Sequence, residues 1–229
     1  MEYLYADGEV TIGLEPGAND CVTMDDVEQA SPIIERAALL LGQIETPLDA
    51  VEHAFQLARA AGVATCLDPS VVPVAESERR RLFHSILPHV DLLAPNSSEA
   101  EELTGVAVTD DDTALRATRQ LLDHVPVVVL TRGADGALLV RGEDARFVRG
   151  LDVKGIDGGA AGDTFRGALA LALAEALEAR TQVQTLGELP FDRLVDAVRF
   201  ANAAAAICVT RPGACPSIPR RDDIIALLA

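Results

Sequence analysis

Lysine is almost missing from this chain. Lys154 is the only one, and 19 basic residues face 36 acidic ones, a formal net charge of −17 in 229 residues. A surface so short of positive charge argues against nucleic acid or an anionic membrane as a partner, because both are held by basic patches. Two origins of the acidity stay open: a coding preference for arginine, or solubility in a salt-rich cytoplasm that screens repulsion among carboxylates. Cysteine is sparse too. Cys21, Cys66, Cys208 and Cys215 are too few and scattered for a disulfide framework, and neither they nor His53, His84, His89 and His124 show a zinc-like spacing. No run approaches the ~20 apolar residues of a membrane span. The start, Met1-Glu2, lacks the basic segment and apolar core of a signal peptide, so the expectation is a soluble, cytoplasmic protein. What is present is ordinary globular material, 49% hydrophobic and 24% charged, and long enough to bury a core.

The order of segments predicts the fold class. MEYLYADGEVTIGL alternates around Asp7-Gly8, which suggests two short strands and a turn. Residues 37–44 read as a short buried strand. Thr46 as N-cap and Pro47 at the first helical position then open a helix that presents Leu48, Val51, Ala54, Phe55 and Ala58 on one face and stops at Gly62. VATCLDP, VDLLAP and PVVVLT are further strands. Helices are expected at 76–87, from Ser97 or Ser98 to Gly105, and at 111–123, 163–178, 191–209 and 220–228, with GALLVRG and ARFV as an antiparallel meander. Strands alternating with helices of this length imply a mainly parallel sheet with helices on both faces. One α/β domain accounts for nearly everything after residue 30.

In such sheets a ligand lies beyond the carboxyl ends of the strands. Three of those ends carry suitable residues: Asn96, Thr131-Arg132-Gly133, and the turn from Asp157 to Asp163. The first two have plain structural uses, as a helix cap and a corner. In the third, Gly158, Gly159, Ala160, Ala161 and Gly162 leave backbone N–H groups unobstructed at the start of a long helix, an arrangement that suits an anion. The spacing is neither a Walker A loop nor a dinucleotide fingerprint. Asp163, in the first turn, is either an N-cap or a base that takes a proton from the group attacking a phosphate.

DGGAAGDTFRGA resembles the signature of the ribokinase (PfkB-type) sugar kinases, LLAPNSSEAEELTG their Asn-x-x-Glu motif, and VVLTRGADGALL their nucleotide-binding loop. FANAAAAICVTRPGACPSIP resembles their C-terminal helix and cation loop, and QIETPLDAV and LEPGAND match the ribokinase branch. The resemblance implies a three-layer α/β sandwich, with residues 1–20 a remnant of the family's small β lid or edge strands and 21–229 the α/β nucleotide-binding and catalytic domain, and an ATP-dependent kinase acting on a sugar hydroxyl, most simply that of ribose. It further implies Asp163 as the base and the backbone of Ala160, Ala161 and Gly162 as the anion hole. Asn96 would contact ATP phosphates and Glu99 would position hydrated magnesium. Thr131, Gly133, Ala134, Asp135, Gly136 and Gly162 would line the nucleotide pocket, with Asn202 beside adenine, and Glu45 would hold sugar hydroxyls. A monovalent cation, typically potassium, would take Asp157, the carbonyls of Gly159, Cys208, Arg211 and Gly213, and Ser217.

Relative to that family, roughly the first quarter is absent: the opening strand with its sugar-binding Asp, the Gly-Gly-x-Gly-x-Asn sugar loop and part of the lid. Gly158 stands where a Thr is usual and Ser98 where a Glu is common. A half-built sugar side leaves alternatives open: a nucleotide-binding or regulatory remnant without kinase activity, or a kinase for fructose, a keto-deoxy sugar acid or a nucleoside. Missing strands are also expected to leave sheet edges that favour a homodimer.

Overall fold

The computed structural model of the chain describes residues 2–4, 10–13, 15–179 and 185–229, with 2–4 and 10–12 described as backbone only. The first two strands, β1 (Glu2–Leu4) and β2 (Val10–Ile12), pair antiparallel with Tyr3 opposite Thr11. The turn expected at Asp7-Gly8 lies outside the described residues.

The main sheet has six strands, laid side by side in chain order: β3 (Leu39–Gln43), β4 (Ala64–Asp68), β5 (Leu92–Leu93), β6 (Val127–Thr131), β7 (Gly136–Arg141) and β8 (Asp144–Arg149). The first four are mutually parallel and the last two turn back antiparallel, as the meander predicts. Alternation along the strands assigns their two faces. Cys66, Leu92, Val127, Val129 and Leu139 point to one side, where they meet α6 (Ala161–Glu178) and α7 (Phe191–Cys208). Leu67, Leu93 and Val128 point to the other, against α2 (Leu48–Ala60), the π-helical turn (Leu82–Ile86) that follows the exposed α3 (Glu76–Arg81), and α5 (Asp111–Leu121). Helix α4 (Ser97–Thr104) completes that layer, and α8 (Arg221–Leu228) packs on α7. The result is the three-layer sandwich.

Several local readings shift. The helix predicted to start at Pro47 begins at Leu48: Pro47 is its N-cap, no side chain caps it, and Thr46 lies outside. The strand expected to be buried, β3, is the edge of the sheet, and Leu41 is 37% exposed. Within it Gly42 permits a close approach: a Cβ there would lie 2.5 Å from the ring of Phe55, itself 1% exposed. Full burial of such a ring stabilises by roughly 1.5–3 kcal/mol. The helix expected over 76–87 is α-helical only to Arg81; residues Leu82–Ile86 widen into a π-turn before Pro88. Helix α1 (Met24–Ile34) was not expected at all, although Thr23 and Asp26 form a capping box at its start. The central β5 is only two residues long, and buried Asp91 just before it ties it to its neighbours. Asp91 accepts from the Thr65 backbone N–H at 3.0 Å and pairs with Arg59 at 2.7 Å.

Candidate active site

Beyond the carboxyl end of β6 and the amino end of the antiparallel β7 lies a cavity of about 500 Å³. Nine of the residues singled out from sequence line it: Thr131, Gly133, Ala134, Gly136, Asp157, Gly158, Ala161, Gly162 and Asn202. The loop from Gly150 to Ile156 closes it on one side, and Phe165, Ala205, Ala206 and Val209 supply the apolar wall. Sequence reasoning overlooked these residues, for which the glycines at 150 and 155 were the available signal. Gly136 has φ +95°, and a Cβ there would come within 2.2 Å of the Val148 carbonyl oxygen; a Cβ on Gly150 would come within 2.2 Å of the Ala134 carbonyl oxygen. These two positions let the loops close on one another with no side chain between them. Asp135, expected in the same pocket, sits in the single turn Gly133–Asp135, exposed, with its carboxylate 3.6 Å from Arg132.

Asn202, on α7 and 7% exposed, donates its amide hydrogens to the carbonyls of Val148 at 3.0 Å and Arg149 at 3.3 Å. Those two acceptors fix which way the amide points. What it can still offer the cavity is Oδ1, a hydrogen-bond acceptor.

The glycine-rich turn is anchored by Asp157. Its carboxylate accepts from Gly159 N–H at 3.0 Å and from Gly213 N–H at 2.7 Å, which holds the turn against the loop after α7. Those two donors keep the Asp157 carboxyl below the usual carboxylate range. Helix α6 starts at Ala161 with no side-chain cap. The Ala161 N–H is spent on the Gly158 carbonyl at 3.1 Å, so the amide donors without a backbone acceptor are those of Ala160, Gly162 and Asp163. Of the three amides expected to face an anion, at 160, 161 and 162, that of Ala161 is thus engaged in closing the turn. Asp163 itself is exposed in the first turn of α6.

Around the same turn, Thr164 donates to the Cys208 thiol at 3.3 Å. That thiol lies 3.1 Å from the Ser217 hydroxyl, which donates to the Ala214 carbonyl at 2.6 Å. The Cys208 carbonyl accepts from Arg211 N–H at 3.0 Å, whereas among the described residues no backbone donor reaches the carbonyls of Gly159, Arg211 or Gly213. Such an oxygen set fits a hard monovalent cation. The Asp157 side chain and the Ser217 hydroxyl are occupied in holding the loops together.

Asn96 caps α4. Its Oδ1 accepts from Glu99 N–H at 2.9 Å, and a parallel bridge joins it to Thr131. Glu99, 6% exposed, receives the Asn96 N–H at 2.8 Å on Oε2 and the Asn96 amide at 2.5 Å on Oε1. Buried Arg166 reaches the same carboxylate, 3.2 Å from Oε2, and extends to Asp68 Oδ1 at 2.9 Å. Burial pushes the Glu99 carboxyl up to about 7, against the lowering pull of Asn96 N–H and Arg166. With every oxygen of Glu99 engaged, the residue does not fit the expected role of positioning hydrated magnesium. Arg166 and Asp68 were both missed from sequence, where one reads as a helix residue and the other as the last of a strand.

Glu45 lies elsewhere. It lines a separate cleft of about 430 Å³ beyond the ends of β3 and β4, together with Asn19, Asp20, Thr46 and Glu78. Asp163 lines neither concavity.

The sequence matches the pfkB family carbohydrate kinase pattern over residues 1–221. Ribokinase of Haemophilus influenzae is 38% identical over 221 residues, an alignment that takes in 96% of this chain and 65% of that protein. The structure of ribokinase from Giardia lamblia superposes with a TM-score of 0.85 at 26% identity, covering 99% of this chain and 70% of that one. Arabidopsis thaliana ribokinase complexed with ribose and ATP superposes at 0.78 and 28%, covering 99% and 67%. The chain thus spans about two thirds of the length of the relatives it matches. With its glycine-rich turn, its carboxylate on α6 and its six-stranded sheet, it belongs to the pfkB family of carbohydrate kinases.

Proposed function

We propose that the chain binds ATP in the 500 Å³ cavity and transfers its terminal phosphoryl group to a sugar hydroxyl, ribose being the substrate best supported by its relatives. The observation that carries this reading is the first turn of α6. There three amide donors without a backbone acceptor and the exposed carboxylate of Asp163 sit together in one helical turn, whose Ala161 and Gly162 line the cavity. Asp163 takes the proton from the sugar hydroxyl as its oxygen attacks the terminal phosphorus. The bond from that phosphorus to the bridging oxygen breaks and ADP leaves. The amides of Ala160, Gly162 and Asp163 receive the negative charge of the transferring oxygens, and the dipole of α6 adds to their field. Asn202, with only its acceptor oxygen left, favours the amino group of adenine over the carbonyl of guanine. A potassium-like cation on the carbonyls of Gly159, Arg211 and Gly213 would supply fixed positive charge behind the turn. Glu45, in the neighbouring cleft, is the proposed partner of the sugar hydroxyls. The open edge at β3 supports self-association of the chain, to be read by light scattering.

A coupled ADP-release assay across ribose, fructose, a keto-deoxy sugar acid and a nucleoside, in potassium and magnesium, tests the reading. ADP release that depends on the sugar and disappears in Asp163→Asn is the expected result. ATP binding by calorimetry with no turnover on any sugar would overturn it and leave a nucleotide-binding protein.

A further inference from the structure

Arg166 is a costly residue to place where it is. It is 8% exposed and carries a permanent charge, and burial of that kind is tolerated only with close partners. Those partners come from three segments that meet at the sheet ends. Nη2 lies 2.9 Å from Asp68 Oδ1, at the end of β4, and 3.2 Å and 3.5 Å from the two oxygens of Glu99 on α4; Nε donates to the Ala94 carbonyl, just past β5, at 3.3 Å. Asp68 is fully buried and is held in turn by Gln43 at 3.0 Å and by Ser70 N–H at 3.1 Å. The guanidinium passes directly under the glycine-rich turn: a Cβ on Gly162 would lie 2.7 Å from Nη1.

Two buried carboxylates that converge on one point are the ordinary makings of a divalent-cation site. Here the point of convergence is occupied by a nitrogen of the protein itself. We propose that Arg166 is a resident cation standing where a divalent ion would otherwise be held: it joins Asp68 to Glu99, satisfies both, and leaves the nucleotide-free protein without a divalent-ion site at these residues. On the kinase reading above, the metal ion used in phosphoryl transfer then enters with the nucleotide phosphates and is not pre-bound by Glu99. Arg166 acts as a positioning residue, fixing Glu99, and through it Asn96, beneath the turn.

Mn²⁺ titrations of the nucleotide-free protein, followed by electron paramagnetic resonance in ~0.3 M potassium chloride to screen the acidic surface, test this. Wild type and Glu99→Gln should give the same isotherm. Arg166→Gln should gain one Mn²⁺ site, bound about tenfold or more tightly than any wild-type site, since two carboxylates are left uncompensated. That site should vanish in Arg166→Gln with Glu99→Gln, and Arg166→Lys, which keeps the charge, should behave as wild type. A wild-type site that Glu99→Gln abolishes would overturn the proposal, as would a folded Arg166→Gln with no added site. If Arg166→Gln fails to fold by circular dichroism, the comparison of wild type with Glu99→Gln decides alone. No nucleotide or sugar is present in these titrations, so they stand or fall separately from sugar-dependent ADP release.

Discussion

The two concavities at the carboxyl ends of the sheet are made of different material. The larger, beyond the carboxyl end of β6, is walled by glycine, alanine, main chain and a few apolar side chains, and its polar character comes from amides, the amide-bound carboxylate of Asp157 and one trimmed asparagine. The smaller, beyond β3 and β4, is walled by side chains, with the carboxylates of Asp20, Glu45 and Glu78 among them. A polyphosphate is an anion and a sugar is a neutral donor of hydroxyl protons, so the contrast is the one the proposed reaction requires. In a protein of net charge −17, the one carboxylate that lines the larger cavity, Asp157, is already bound by two backbone N–H groups, so N–H dipoles offset its charge there. Between the two, across the ends of β4 and β5, lies Arg166 with its carboxylates.

The sharpest test of this division is Asp163→Asn. Loss of a general base should lower kcat by roughly 10²–10⁴-fold while leaving the ATP dissociation constant unchanged, as followed by ADP release and calorimetry. A parallel loss of ATP affinity would mean that the carboxylate belongs to the nucleotide side. Next in size, Gly136→Ala should cost ~2 kcal/mol or more in urea unfolding, because its φ and its neighbours both reject a Cβ. Gly62→Ala, at φ +74° with open space around it, should cost only ~1 kcal/mol. If the two cost the same, close approach of the loops is not what shapes the larger cavity. Glu45→Gln should raise the sugar KM by about tenfold and leave nucleotide affinity alone, since one hydrogen bond to a charged group is worth about 1.5–3 kcal/mol; an effect on ATP binding would merge the two regions.

The smallest effect is on pH dependence. The folded Glu99 carboxyl, pushed up to about 7, binds its proton more tightly than the unfolded one at its ordinary value of 4.5. Its contribution to stability is therefore present at low pH, falls as the pH rises from about 4.5 to 7, and is flat above. Asp157, held below the ordinary range, works the other way: its contribution is lost only as the pH drops through its depressed value. Urea midpoints across pH 4 to 8 should slope less in Glu99→Gln than in wild type.

The two regions were also unequally legible. The glycine-rich turn, the Asn96 cap and the loop at Gly133 announce themselves because backbone geometry demands particular residues within a few positions of one another. Asn202 lines the larger cavity, but its orientation depends on carbonyls of β8, far away in sequence. Arg166 was invisible for the same reason: its burial follows from Asp68 and Glu99, which arrive on separate elements, and nothing in Asp-Thr-Phe-Arg-Gly reveals them. Helix α1 escaped because Pro32 interrupts its apolar spacing, though the box at Thr23 and Asp26 was readable. Strand β3 was recognised by its leucines, but an apolar run alone does not distinguish an edge from an interior strand.

The order in which the layers are encoded bears on how the chain is made. All strands of the main sheet and the helices of one face are complete by Arg149, while the other face is supplied by α6 and α7, which begin at Ala161 and end at Cys208. During synthesis, a ribosome that has released the first 150 residues has produced a sheet whose Cys66, Leu92, Val127, Val129 and Leu139 have nothing to cover them. That nascent surface is prone to aggregation until the helix bearing the glycine-rich turn has emerged and docked.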